Sequence, residues 1–192
     1  HVSGVDVVMV VDTSVSMLEP IAPGAATKIE AVRSALQASL DRLLPNTGGT
    51  VAVVTFDAAA RLVAASSTDR TAVLRSIEAL AAGPMGSRLD LGIREGWRVL
   101  GGAPRPGRVP VIVVLTDGRA SPGTAHVAAF EARTARAGGA LIFAVGLGGD
   151  VDVVALRECV SYPEWAHVAG SEAAAGAAVA AIAREIERFR WR

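Results

Sequence analysis

The opening strand constrains this chain more than any other feature. Val7-Val8-Met9-Val10-Val11 is an unbroken apolar run that ends in Asp12-Thr13-Ser14-Val15-Ser16. A strand that is apolar on both sides of its pleat needs cover on both faces, which a parallel sheet flanked by helices supplies. In an open α/β sheet, the carboxyl end of such a strand is where ligands bind. This sequence places one carboxylate and two hydroxyls there at alternating positions. Oxygen-only donors suit a hard divalent cation (Mg2+, Mn2+ or Ca2+) rather than zinc or copper. Asp, Thr and Ser are also good helix N-caps, so the stretch alone is equally compatible with a capping loop.

The rest of the chain extends the pattern. Strand signals rich in Val and Ile fall at Val5–Val11, Val51–Phe56, Val109–Thr116 and Leu141–Gly146. A shorter segment, Arg61–Ala65, follows the second strand after a tight link, as expected of an antiparallel hairpin at a sheet edge. Three-to-four spacing of Ile29, Val32, Leu36, Leu40 and Leu43 predicts a helix, as do Val73, Leu74, Ile77 and Leu80. Ile93, Trp97 and Leu100 mark a helix interrupted by Gly92 and Gly96, and Val179, Ile182, Ile186 and Phe189 stripe the last one. The glycines and prolines from Gly101 to Pro110 read as a loop, not a domain boundary. This alternation predicts one α/β domain over residues 1–192. Its central sheet is doubly wound and mostly parallel, with one short antiparallel edge strand and helices on both faces. A start at His1, just before the first strand, reads as an excision from a longer protein.

Charge narrows the partners. Nineteen acidic residues balance 19 basic ones, which argues against nucleic acid or an anionic membrane surface. The longest apolar stretch, Ala173 to Ala183, is too short to span a bilayer, so direct membrane insertion is not expected. Cys159 is the only cysteine, which excludes an internal disulfide and a Cys-based metal site. Lys28 is the only lysine, a bias that reads as the mark of a GC-rich, bacterial genome.

Two further segments should reach the same sheet edge. Val111-Ile112-Val113-Val114-Leu115-Thr116-Asp117-Gly118 repeats the opening design of apolar strand, aspartate and turn glycine. Gly83-Pro84-Met85-Gly86-Ser87-Arg88-Leu89 is a glycine-rich loop leading a hydroxyl into a helix. One metal ion explains all three oxygen-bearing loops together.

With "VVDTSVSM", "VAVVTF", "GSRLDLGI" and "VVLTDG" in this order, the sequence strongly resembles the von Willebrand factor type A domain with its metal-ion-dependent adhesion site. "GGALIFAVGLG" followed by "VDVVALREC" resembles the family's later strand and short helix. The resemblance covers essentially the whole chain. It implies that Ser14 and Ser16 coordinate Mg2+ (or Mn2+, with Ca2+ as a substitute) directly, and that Asp12 and Asp117 do so directly or through water. Ser87 stands where the family usually has threonine, whose hydroxyl joins the metal when ligand engages. Serine lacks the methyl group that stiffens χ1. Met85-Gly86 replaces the usual glycine pair. By the same analogy the last helix shifts between affinity states, and the domain sits outside the cell or on its surface.

Two carboxylates and neutral serines would just neutralise a divalent ion and leave it electrophilic, with water at some positions. A partner protein presenting Asp or Glu could displace one of those waters, so the expectation is a binding mechanism rather than a reaction. Asp57 would lie nearby as a second acceptor or simply serve a turn. Glu19, Arg88, Asp90, Arg119 and Ser121 would form the rim or remain solvated surface.

Rival readings have less behind them. His126 and His167 stand in no recognisable catalytic motif, and no Gly-x-Ser-x-Gly elbow is present, so no enzyme is expected. A metal-dependent hydrolase would need a general base that the site loops do not offer. Nucleotide binding lacks both Gly-x-Gly-x-x-Gly on the first strand and a Walker sequence, and Gly146-x-Gly148-Gly149 reads as a loop. In a phosphoacceptor domain the Ser-x-Ser pair would have no task. The other open reading is a structural or regulatory subunit of a larger assembly, for example with an ATPase, in which metal is secondary.

Overall fold

The computed structural model describes residues 2–83, 86–103, 105–121 and 123–189, without the side chains of residues 45–47. Pro84 and Met85 of the glycine-rich loop, Pro104 and His1 lie outside the described residues. Six strands form one sheet: β1 (Gly4–Asp12), β2 (Val51–Phe56), β3 (Ala60–Ser67), β4 (Arg108–Thr116), β5 (Leu141–Leu147) and β6 (Ala166–Ala169). Their order is β3-β2-β1-β4-β5-β6, with β3 antiparallel to β2 and every other pair parallel. The expected hairpin is thus an edge, and β3 extends beyond the predicted Arg61–Ala65.

Every residue of β1 and β2 is buried, as their continuous apolar runs require. Alternate residues of β1 enter two separate cores. Val5, Val7, Met9 and Val11 pack with α1 (Lys28–Thr47), α2 (Arg70–Glu78) and α6 (Glu172–Phe189). Val8 and Val10 pack with α3 (Leu89–Val99), α4 (Ala125–Ala137) and α5 (Val153–Cys159). The central strand is therefore sandwiched, and only its ends are free to carry chemistry.

Gly92 and Gly96 are not weaknesses in α3 but the reason it lies so close to the sheet. A Cβ at Gly92 would stand 2.7 Å from Phe56 Cδ1 and 2.9 Å from Val10 Cγ1, and one at Gly96 would stand 2.9 Å from Val10 Cγ2. Pro110 belongs to β4 rather than to the preceding loop. It lies opposite Asp6 of β1, while the pairing of β4 with β5 starts one residue later at Val111. A residue without an amide hydrogen is tolerated where one side of the strand is still unpaired.

At the amino end of the sheet, the buried Asp6 ties three segments together. Its carboxylate accepts from Arg105 at 2.6 Å, from both Arg108 Nε and Nη2, and from Thr50 N and Oγ1 at 3.1 and 2.8 Å. Because β2 and β4 lie on opposite sides of β1, the loops after β1 and β4 separate at the carboxyl end and open a crevice.

Candidate metal centre

Asp12 is the last residue of β1 and is fully buried. Its Oδ1 accepts from Ser14 N at 2.9 Å, which folds the chain back just past the strand. Its Oδ2 accepts from Ser87 Oγ at 3.1 Å and from Thr116 Oγ1 at 2.6 Å. The Ser14 and Ser16 hydroxyls lie 3.1 Å apart and are hydrogen-bonded to each other. Ser14, at the head of the 3-10 turn Val15–Leu18, makes no side-chain capping bond. Thr27 caps α1 instead, in a reciprocal box with Glu30, so the capping role that the first loop could have had falls elsewhere.

Ser87 is delivered by the lead-in to α3. Gly86 before it adopts φ +106, a left-handed conformation that side chains rarely take, and a Cβ there would press on Ala58 at 3.1 Å. Ser87 N donates to Ser121 Oγ at 2.9 Å, and Ser121 N donates to the Ser87 carbonyl at 3.0 Å. These two bonds fasten the hydroxyl loop to the loop after β4.

Asp117 lies at the same edge, one residue past β4, close enough for its charge to act on Asp12. Its direct partners are different: Oδ2 accepts from Lys28 Nζ and Oδ1 from Arg119 N, at 3.1 and 3.2 Å. The five nominated residues thus gather at one end of the sheet, four linked to one another and Asp117 beside them. Sequence reasoning missed Thr116 and Lys28. Thr116 directly precedes Asp117 on a strand that neighbours β1, a signal that could have found it. Lys28, taken for a genomic bias, is buried inside the site.

The Asp57 carboxylate serves its own turn, while the Asp57 carbonyl accepts from Arg88 N at 2.8 Å, next to Ser87. The carboxylate accepts from Ala59 N at 3.0 Å and pairs with Arg61 at 2.7 Å. Asp90 is not rim but fully buried, gripped by Arg88 through two bonds at 2.9 and 2.7 Å. Glu19, Arg119 and Asp150 form an exposed ion-pair chain with distances of 2.9 and 2.6 Å.

The electrostatics single out Asp12. Burial holds its proton affinity above the ordinary carboxylate range, with the nearby Asp117 charge adding to it, while bonds from Ser14 and Thr116 oppose. Among the described residues no cationic side chain pairs with it. A buried carboxylate met only by hydroxyls and an amide is a costly arrangement unless a positive charge arrives. Among the described residues no three His, Cys, Asp or Glu side chains converge to hold a metal. Any ion here would therefore draw on the serine hydroxyls as well as the two aspartates, an all-oxygen set.

A model of the von Willebrand factor type A domain matches residues 7–119, which span β1 through the Asp117 loop. The chain belongs to that family. Solved structures with the same fold include the vWF domain of the type V pili tip protein Mfa5 from Porphyromonas gingivalis. It has a TM-score of 0.83 at 15% identity over 100% of this chain and 98% of that one. BatB from Bacteroides thetaiotaomicron, a conserved hypothetical protein, has a TM-score of 0.79 at 18% identity over 98% and 100%. The pilus adhesin SpaC of Lactobacillus rhamnosus GG, in its open conformation, has a TM-score of 0.79 at 19% identity, over 98% of this chain but 30% of that one. At these identities it is the type A fold that is shared. No curated protein sequence matches the chain.

Proposed function

We propose that this type A domain is a divalent-cation-dependent protein-interaction module. Asp12, Ser14, Ser16, Ser87 and Asp117 would hold Mg2+ or Mn2+, with Ca2+ as a substitute, and the partner would be a protein presenting Asp or Glu. The observation that carries this reading is the buried Asp12 carboxylate, which gathers two hydroxyls and an amide but, among the described residues, no cationic side chain. The bound ion would supply a Lewis-acidic centre open to a carboxylate. The protein's own contribution is orientation. Thr116 and Ser87 fix the Asp12 oxygen, Ser121 fixes the Ser87 loop, and Val15 and Leu18 present exposed apolar surface beside Ser14 and Ser16.

His167 lies on β6, at the far edge from β1, and His126 is exposed on the first turn of α4. Cys159 lines a cavity of about 20 Å3 together with Ser87 and Thr116. Burial pushes its thiol up to about 11, so it is no thiolate nucleophile at neutral pH. No helix among the described residues is long and apolar enough to cross a membrane. The pilus and pilus-tip proteins that share the fold support placement outside the cell or on its surface. The reading is tested by thermal unfolding after EDTA treatment with Mg2+, Mn2+ or Ca2+ restored. A cation at a hundredfold excess over its dissociation constant adds about 2.7 kcal/mol, a rise of roughly 5–10 °C in this size range. No rise with any of the three ions would sink it.

A further inference from the structure

The single lysine of this chain occupies an expensive position. Lys28 is the first residue of α1, where the helix dipole disfavours a cation. It is only 4% exposed, although an ammonium group is compact and strongly hydrated. Its stem is held in place: a Cβ at Gly148, in the loop after β5, would stand 3.0 Å from Lys28 Cε. Its Nζ donates to Asp117 Oδ2 and Glu19 Oε2, both at 3.1 Å.

This placement changes the charge of the site. The side chains of Glu19, Arg119 and Asp150 are 48%, 38% and 75% exposed, so water and salt screen them. Apart from Asp6, Asp57 and Asp90, which pair with their own arginines, the buried charges are Asp12, Asp117 and Lys28. Two negative charges and one positive leave a single net negative charge. A divalent ion would then carry an excess positive charge inside the site instead of being neutralised, and would be repelled by Lys28 at short range.

We propose that Lys28 is a resident cation of the metal centre that weakens the hold on the divalent ion and strengthens the pull of the bound ion on a partner's carboxylate. The inference rests on the functional reading above and assigns Lys28 a positioning and charge-setting role rather than a ligand role. It also gives a reason for lysine here. A lysine point charge engages only Oδ2 of the Asp117 carboxylate, whereas an arginine fork would engage both oxygens.

The test uses Mn2+ on the cation-stripped protein, with affinity measured by calorimetric titration. Acetate is the carboxylate probe, read through the relaxation of its methyl protons by protein-bound Mn2+. Lys28→Met removes the charge. Lys28→Gln removes it while keeping a donor for Asp117, and so covers a Met variant that fails to fold. Circular dichroism establishes which variants are native. Native variants are expected to bind Mn2+ about ten-fold or more tightly than wild type and to relax acetate less per bound ion. If wild type binds Mn2+ and the native variants bind it equally or more weakly, the lysine proposal is overturned and the metal reading stands. If only the variants bind Mn2+, the lysine effect is upheld and the cation-dependent function of wild type is overturned. If none binds Mn2+, both fail.

Discussion

Thr116 Oγ1 donates to Asp12 Oδ2 at 2.6 Å, from the last residue of β4 to the last residue of β1. Both groups are buried, so this bond fixes the direction in which the carboxylate presents its other lone pairs. Groups that orient metal ligands are worth 10–100-fold in affinity. Thr116→Val keeps the branched shape and removes the donor. It is expected to lower Mn2+ affinity about ten-fold with little change in cation-free stability, as read by calorimetric titration and urea unfolding. Unchanged affinity would mean that Thr116 is only a packing residue.

Asp12→Asn should separate binding from folding. In the cation-free protein the buried charge has no cationic partner among the described residues, so neutralising it removes a burden. The variant is expected to unfold in EDTA at the wild-type temperature or above it, and to show no rise when Mg2+ or Mn2+ is added. A marked loss of stability in EDTA would show that the carboxylate is needed to hold the three loops together.

Asp6 predicts the acid limb of the stability curve. Burial pulls its proton affinity up, but hydrogen bonds and charge from Arg108, with bonds from Thr50, prevail and hold it below the ordinary 3.8. A carboxylate depressed in the folded state stabilises fully above its unfolded pKa and loses that contribution as pH falls through the folded value. Asp6→Asn should therefore cost about 2 kcal/mol at pH 7. Urea unfolding curves of variant and wild type should converge as the pH drops below about 3.8.

Gly92→Ala sets helix propensity against space. Alanine favours the helix by about 1 kcal/mol, but its methyl would press on Phe56 and Val10 at 2.7 and 2.9 Å. Overpacking a fixed contact costs about 1–3 kcal/mol, so a net loss is expected in chemical denaturation. The lead-in to α3 carries Ser87, so Mn2+ affinity should fall as well. A stabilised variant with unchanged affinity would show that α3 can shift without disturbing the site.

Most of the architecture was written in hydrophobic pattern. The valine-rich runs of β1, β2, β4 and β5 and the leucine and isoleucine stripes of α1, α2 and α6 are strong period signals. β6 escaped because Ala166-His167-Val168-Ala169 is short and barely apolar. α4 escaped because its buried stripe is Ala128, Ala129, Ala132 and Ala135, and alanine contributes little contrast. The candidate ligands were legible because each stands at the end of a strand or the mouth of a helix. Lys28, Thr116 and the buried Asp90–Arg88 pair were not. Their roles depend on which loops meet across the sheet, and that is a matter of strand order rather than local sequence.

β1 and β4 are hydrogen-bonded neighbours with Val11 opposite Leu115, so the next rung sets Asp12, the last residue of β1, beside Thr116, the last residue of β4. The gauge between the Asp12 carboxylate and the Thr116 hydroxyl that orients it is therefore inherited from the ladder, whose strands are set roughly 4.8 Å apart by the peptide backbone itself. Loops around it can lengthen, recolour or exchange their side chains and still meet a carboxylate held in one orientation. On the proposed reading, such a surface would be retargeted to new partners by its borders alone, with the central carboxylate left untouched.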